Sequence, residues 1–192
     1  MSSPLAQQVE QFLTYLRDVR QVSPHTLSNY GRDLAKLDDY CREKGLADAL
    51  SIQPGDIRGF ATRLHRQGKQ GKSIQRNLSA IRSFYNYLSR QGLTHHNPAN
   101  GIQAPKQVQR LPKTLDADQV ELYLKIQGTQ PLDLRDQAMA ELFYSSGLRL
   151  SELASLDIED IDRSEKLVTV TGKGNKTRTL PVGRLAMQAI NA

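Results

Sequence analysis

The stretch Lys166-Leu167-Val168-Thr169-Val170-Thr171-Gly172-Lys173-Gly174-Asn175-Lys176-Thr177-Arg178-Thr179-Leu180-Pro181 alternates apolar and polar residues on either side of a Gly-Lys-Gly-Asn turn. A period of two puts every second side chain on one face, and glycine and asparagine tolerate the backbone angles of a tight connection, so the stretch predicts a β-hairpin. Just upstream, Gly147-Leu148-Arg149-Leu150-Ser151-Glu152-Leu153 reads as a glycine turn feeding a helix that begins near Leu148. Before that turn, Asp133 leads into a helix through Leu134, Ala138, Leu142 and Phe143 that ends at Ser145-Ser146-Gly147, with Tyr144 expected in its core. Thr114 or Asp116 caps a short helix through Val120, Leu122 and Leu124, and a last helix starts near Gly183.

The first half of the chain reads as helix throughout. Leu5, Val9, Phe12, Leu13 and Leu16 recur at helical spacing, and Ser23 with Pro24 opens a second helix through Leu27, Tyr30, Leu34 and Leu37. Ile57, Phe60 and Leu64 make a third, ended by Gly68, and Ser73 opens a fourth through Ile74, Leu78, Ile81, Phe84, Tyr85 and Leu88, ended by Gly92. Between Asn97-Pro98 and Leu111-Pro112, four prolines and glycines with little periodicity predict a linker. The fold class is thus mainly α with a small β-hairpin or sheet: a helical domain over 1–96, a linker over 97–112 and a second, α+β unit over 113–192.

With 192 residues, 38% hydrophobic and 24% charged, the composition is that of a globular chain with a packed core. No signal-like apolar run opens the chain and none approaches the roughly 20 residues of a membrane span, so the expected location is the cytoplasm and no membrane is expected as partner. The single cysteine, Cys41, shares an apolar helix side with Leu34, Leu37 and Tyr40 and is expected to be a small buried hydrophobe.

The net charge of +6 is unevenly placed: residues 1–110 carry +8 and residues 111–192 carry −2. Between Asp56 and Asp116 there is no acidic residue, yet there are eleven bases: Arg58, Arg63, Arg66, Lys69, Lys72, Arg76, Arg82, Arg90, Lys106, Arg110 and Lys113. Solubility is normally secured with both signs interspersed, so a one-sign stretch favours a nucleic-acid footprint, and no lipid-anchor motif supports a membrane. Lys72, Ser73 and Arg76, in the first turns of the fourth helix, are placed to hold a nucleic-acid backbone. Gly68-Lys69-Gln70-Gly71-Lys72-Ser73 is not a nucleotide loop, because position 66 is arginine instead of glycine and no buried strand precedes it. His95 and His96 lack metal spacing and read as loop residues; neither metal nor cofactor is expected.

Arg149 and Lys173 lie 24 positions apart, one after a glycine turn at a helix start and the other at a hairpin tip. A first-turn arginine is in an anion-favouring place, and its guanidinium can fork two phosphate oxygens, although Glu152 could simply pair with it. Lys173, Lys176 and Arg178 make the hairpin basic. Together these residues suit one phosphate and phosphoryl transfer.

These two segments resemble those of the tyrosine recombinases, the phage integrase family, and within it the Xer group of bacteria. Leu16-Arg17, Ser23-Pro24-His25-Thr26-Leu27, Tyr30, Ser79-Ala80-Ile81-Arg82-Ser83-Phe84-Tyr85, Asn97-Pro98-Ala99, Pro105-Lys106 and Leu111-Pro112 extend the likeness over nearly the whole chain. The resemblance implies an N-terminal helical, SAM-like core-binding domain and the start of an α+β catalytic domain, which together clamp duplex DNA. It implies strand cleavage by a tyrosine, a 3′-phosphotyrosine intermediate and rejoining without metal or nucleotide. Arg149 would be the first catalytic arginine, Lys173 the general acid and Glu152 the arginine's support. Lys72, Ser73, Arg76, Arg82, Lys176 and Arg178 are expected to contact DNA. Expected partners are a short pseudo-palindromic duplex site, a related recombinase subunit in a tetramer on that DNA, and a DNA-translocase regulator, in chromosome-dimer resolution. Two other readings remain open at this point: a non-catalytic DNA-binding regulator with the same fold, and a mobile-element integrase.

One cluster departs from the family. No His25, His65, His95 or His96 has arginine three residues later, and all seven tyrosines precede Arg149. The resemblance puts a His-x-x-Arg pair and the nucleophilic tyrosine after the hairpin, so the chain is expected to be a truncated recombinase that binds DNA without cleaving it.

Overall fold

The computed structural model describes residues 3–105, 114–125, 128–172 and 174–192. The chain divides into two compact units, residues 1–110 and 111–192.

Four helices form the first unit: α1 (Pro4–Asp18), α2 (Pro24–Glu43), α3 (Pro54–Arg66) and α4 (Gly71–Arg90), with a 3-10 turn at Ala49–Ser51. Ser3 and Ser23 cap α1 and α2 by accepting from the N–H groups of Ala6 and Thr26, and prolines with a pre-set φ open the first three helices. Helix α4 packs against α1, α2 and α3. Phe12 meets Phe84 at 5.7 Å and the edge of Tyr30 at 5.8 Å, and Leu34, Leu37, Ile57, Phe60, Leu78 and Ile81 close the core around them. Cys41 is fully buried there, and burial pushes its thiol up to about 12.

The expected linker begins as part of this unit. Ala99 and Ile102 are buried in its core, and Arg82 donates from Nε to the Ala99 carbonyl at 3.1 Å and from Nη2 to the Ile102 carbonyl. The Asn97 amide returns a bond to the Arg82 carbonyl. Proline and glycine gave the segment its linker look, while a side chain from α4 supplies the donors that its backbone needs. The rest of that stretch, 106–112, lies outside the described residues.

The second unit holds α5 (Ala117–Leu124), α6 (Pro131–Ser146), α7 (Leu150–Ala154), a 3-10 turn (Ile158–Asp160), β1 (Ile161–Asp162), β2 (Leu167–Gly172), β3 (Lys176–Pro181) and α8 (Arg184–Ile190). The predicted hairpin is β2–β3, in register Val168↔Leu180, Val170↔Arg178 and Gly172↔Lys176, and the two-residue β1 adds a third antiparallel strand on its other side. Val168 and Val170 face a core with Leu142, Leu148, Leu153, Val182, Ala186 and Met187. On the outer face Thr169 pairs with Thr179 and Thr171 with Thr177 through their hydroxyls, at 3.1 and 3.3 Å. Helix α6 packs on α8, and Tyr144, expected in the core, is 61% exposed. Among the described residues no helix is long and apolar enough to cross a membrane.

Candidate functional site

Gly147 ends α6 in the left-handed conformation, φ 58° and ψ 38°, where a side chain would be strained. The chain then buries Leu148 and leaves Arg149 as the N-cap residue of α7. Ser146 fixes the approach by donating its hydroxyl to the Pro181 carbonyl at 2.9 Å, so the turn is tied to the end of β3.

Glu152 is the centre of the site. Its Oε2 accepts the Arg149 backbone N–H at 2.7 Å, the glutamate half of a capping box, and its Oε1 accepts from Arg149 Nη1 at 2.7 Å. From β3, Arg178 donates Nη1 to Oε1 at 2.6 Å and Nη2 to Oε2 at 2.8 Å. This carboxylate is only 3% exposed. Bonds from Arg178 first, and then from the Arg149 backbone, hold its pKa well below the ordinary 4.5, at about 2, against the opposing effect of burial. It therefore stays ionised throughout the neutral range.

Two guanidinium groups on one carboxylate leave one net positive charge. Arg149 carries it outward: its side chain is 63% exposed and, among the described residues, only its Nη1 is engaged, which leaves Nε and Nη2 for a ligand. A charge-assisted pair anchored in this way offers an oxyanion fixed donors at a fixed place. Helix α7 has five residues, so its dipole adds less than the sequence suggested; the guanidinium groups dominate.

The hairpin tip comes close to this cluster. A Cβ at Gly172 would lie 2.8 Å from Glu152 Oε1, 3.1 Å from Arg178 Nη1 and 3.4 Å from Arg149 Nη1, so only glycine fits without displacement. Lys173, the predicted general acid, is the next residue and lies outside the described residues.

The other predicted contacts separate into two kinds. Lys72 and Lys176 are exposed and have no ion-pair partner among the described residues, while Ser73 is half-buried in the first turn of α4. Arg76, Arg82 and Arg178 each use donors within the protein: Arg76 on Asp33, Arg82 on the 99–102 turn, and Arg178 on Glu152. Sequence reading missed this holding role of Arg178 and missed Asp33 altogether. The hairpin register held the first signal, since Arg178 pairs with Val170 and so shares its inward face.

A helical unit followed in sequence by a unit of helices and a small antiparallel sheet is an architecture that known proteins share. The profile described as "Phage integrase, N-terminal SAM-like domain" matches residues 9–92, and "Phage integrase family" matches 113–192; the chain belongs to the phage integrase family. Among its relatives is the tyrosine recombinase XerC of Pseudomonas putida, 49% identical over 190 residues that cover 98% of this chain. The chain spans 63% of that relative's length. Two solved structures share the fold: the Tn1549 transposon integrase in complex with a circular intermediate DNA (TM-score 0.78, 18% identity, 99% of this chain and 64% of that one) and a lambda integrase tetramer bound to a Holliday junction (TM-score 0.74, 19% identity, 97% and 55%).

Proposed function

We propose that this chain is the DNA-holding part, with half of the catalytic centre, of a site-specific tyrosine recombinase of the XerC kind. The observation that carries the reading is the exposed guanidinium of Arg149 seated on the buried carboxylate of Glu152. In the reaction, a tyrosine hydroxyl attacks a backbone phosphorus, the 3′-phosphotyrosine bond forms and the bond to the 5′-oxygen breaks. Arg149 neutralises the non-bridging oxygens as charge builds on them, and Lys173 gives the departing 5′-oxygen its proton. Fixed cations suit this step because their orientation is set before the charge develops.

By the family resemblance the nucleophile and the His-x-x-Arg pair belong C-terminal to the hairpin, and the part played by the described residues is to hold the duplex and neutralise its phosphate. The half-identical XerC relative supports a bacterial recombinase over a non-catalytic regulator. By the same likeness the whole enzyme acts as a tetramer with an XerD-like partner on a short pseudo-palindromic duplex, under a DNA-translocase regulator, in chromosome-dimer resolution in the cytoplasm. The lambda integrase tetramer on a Holliday junction supports that assembly only through the shared fold.

Duplex binding should weaken with salt at a log–log slope of about −4 to −5 if about five phosphates are neutralised. A flat response would remove the DNA reading. In a full-length enzyme, Arg149→Ala and Lys173→Ala should each cost cleavage, read as covalent adduct trapped on a nicked suicide duplex, while binding persists. Cleavage preserved in either variant would reverse the assignment of its role.

A further inference from the structure

The first unit repeats the device found at Glu152. Asp33, on α2, is 1% exposed, and two cations converge on it: Arg76 from α4 and Lys36 from its own helix, whose Nζ lies 3.0 Å from Oδ1. Arg76 presents the edge formed by Nε and Nη2, with Nη2 donating to Oδ1 at 3.0 Å and Nε 2.9 Å from Oδ2 as an ion pair without an aligned hydrogen bond. Nη1 leans on Asn29 Oδ1 at 3.4 Å, and Arg32 donates to the same oxygen at 2.7 Å.

A guanidinium has two forked edges. The carboxylate occupies one, which leaves the end-on pair of N–H groups of Nη1 and Nη2 on a side chain that is 49% exposed. Lys72 lies one helical turn before Arg76 on α4, exposed and unpaired among the described residues. Arg32, Lys36, Lys72 and Arg76 outnumber the single buried acid, so the face of α2 and α4 that carries them is cationic.

We propose that Asp33 is a positioning residue: it locks Arg76 by one edge so that the other edge, with Lys72 beside it, meets a single DNA phosphate. The inference rests on the DNA-binding reading above and assigns a part to a residue that itself never touches DNA. Removing this one negative charge from a DNA-binding face therefore weakens binding, the reverse of its bare electrostatic effect.

The test is titration of the wild-type chain, Asp33→Asn, Arg76→Ala, Arg76→Lys and the Asp33→Asn/Arg76→Ala double variant with a fluorescent duplex of arbitrary sequence over a salt series, after circular dichroism and melting confirm the fold. Arg76→Ala should lower the salt slope by about 0.9, the share of one phosphate. Asp33→Asn should bind more weakly than wild type and lower the slope by a similar amount, and the double variant should be no worse than Arg76→Ala alone. Arg76→Lys keeps the charge but replaces two forked edges with one ammonium, so it should bind more weakly than wild type at each salt concentration while losing less of the slope than Arg76→Ala; it carries the test if Asp33→Asn does not fold. Tighter binding by Asp33→Asn, or a lower melting point with unchanged affinity in these variants, overturns the positioning role and leaves the DNA reading standing. Wild-type chain without salt-dependent binding overturns both.

Discussion

Arg178 grips Glu152 across 26 positions of sequence, with Nη1 2.6 Å from Oε1 and Nη2 2.8 Å from Oε2. The contact joins β3 to the first turn of α7, so the place of Arg149 depends on a hairpin that is remote from it in sequence.

Arg178→Lys therefore keeps the charge but loses the parallel pair of bonds. Melting of the second unit, followed by calorimetry, should fall by about 4–8 °C, a step that corresponds to the loss of one such interaction in a domain of this size. A wild-type melting point would mean that the fork contributes nothing to the site.

The acidity of Glu152 predicts a window of pH. Its folded value, about 2, is below the ordinary 4.5, so its stabilising effect is complete above pH 4.5 and is lost as the pH falls from there toward 2. Stability measured by urea unfolding between pH 6 and 2 should decline through that range, and Glu152→Gln should be less stable at neutral pH with a flatter acid limb.

Gly172→Ala places a methyl group against a carboxylate that two arginines already immobilise. The cost should be about 1–3 kcal/mol in urea unfolding. NMR titration should show the Glu152 acidity drifting back toward its ordinary value as the grip loosens.

In Arg82→Ala the carbonyls of Ala99 and Ile102 lose a charged donor. Amide exchange over residues 97–102 should accelerate about tenfold, in line with a lost charge-assisted bond, while the rest of the first unit keeps its protection. Equal acceleration throughout the unit would mean that the tie is global and not local.

Periodic signals carried well from sequence to structure. The apolar stripes of α1 to α4 became the first core, and the alternation of β2 and β3 became the hairpin, because each element buries one face and the spacing of its apolar residues records which. Helix α6 shows where that logic ends: Leu132, Met139, Phe143 and Tyr144 put apolar groups around its circumference, and only tertiary packing selected Leu142 for full burial. Strand β1, with two residues, has no period to read. Of the site, Arg149 and Glu152 were legible from their spacing of three, whereas the bonds from Arg178 to Glu152 and from Arg76 to Asp33 join distant elements and leave no local mark. The 97–102 turn was misread for the same reason, since its donors come from Arg82.

Cys41 supplies a natural clock for the first unit. A thiol whose pKa is pushed up to about 12 and that exposes no surface has almost no thiolate to offer an alkylating reagent at neutral pH. Labelling must wait for α2 to come away from its neighbours, so the rate of modification of this one atom reports how often the helical unit opens, with no probe to be engineered.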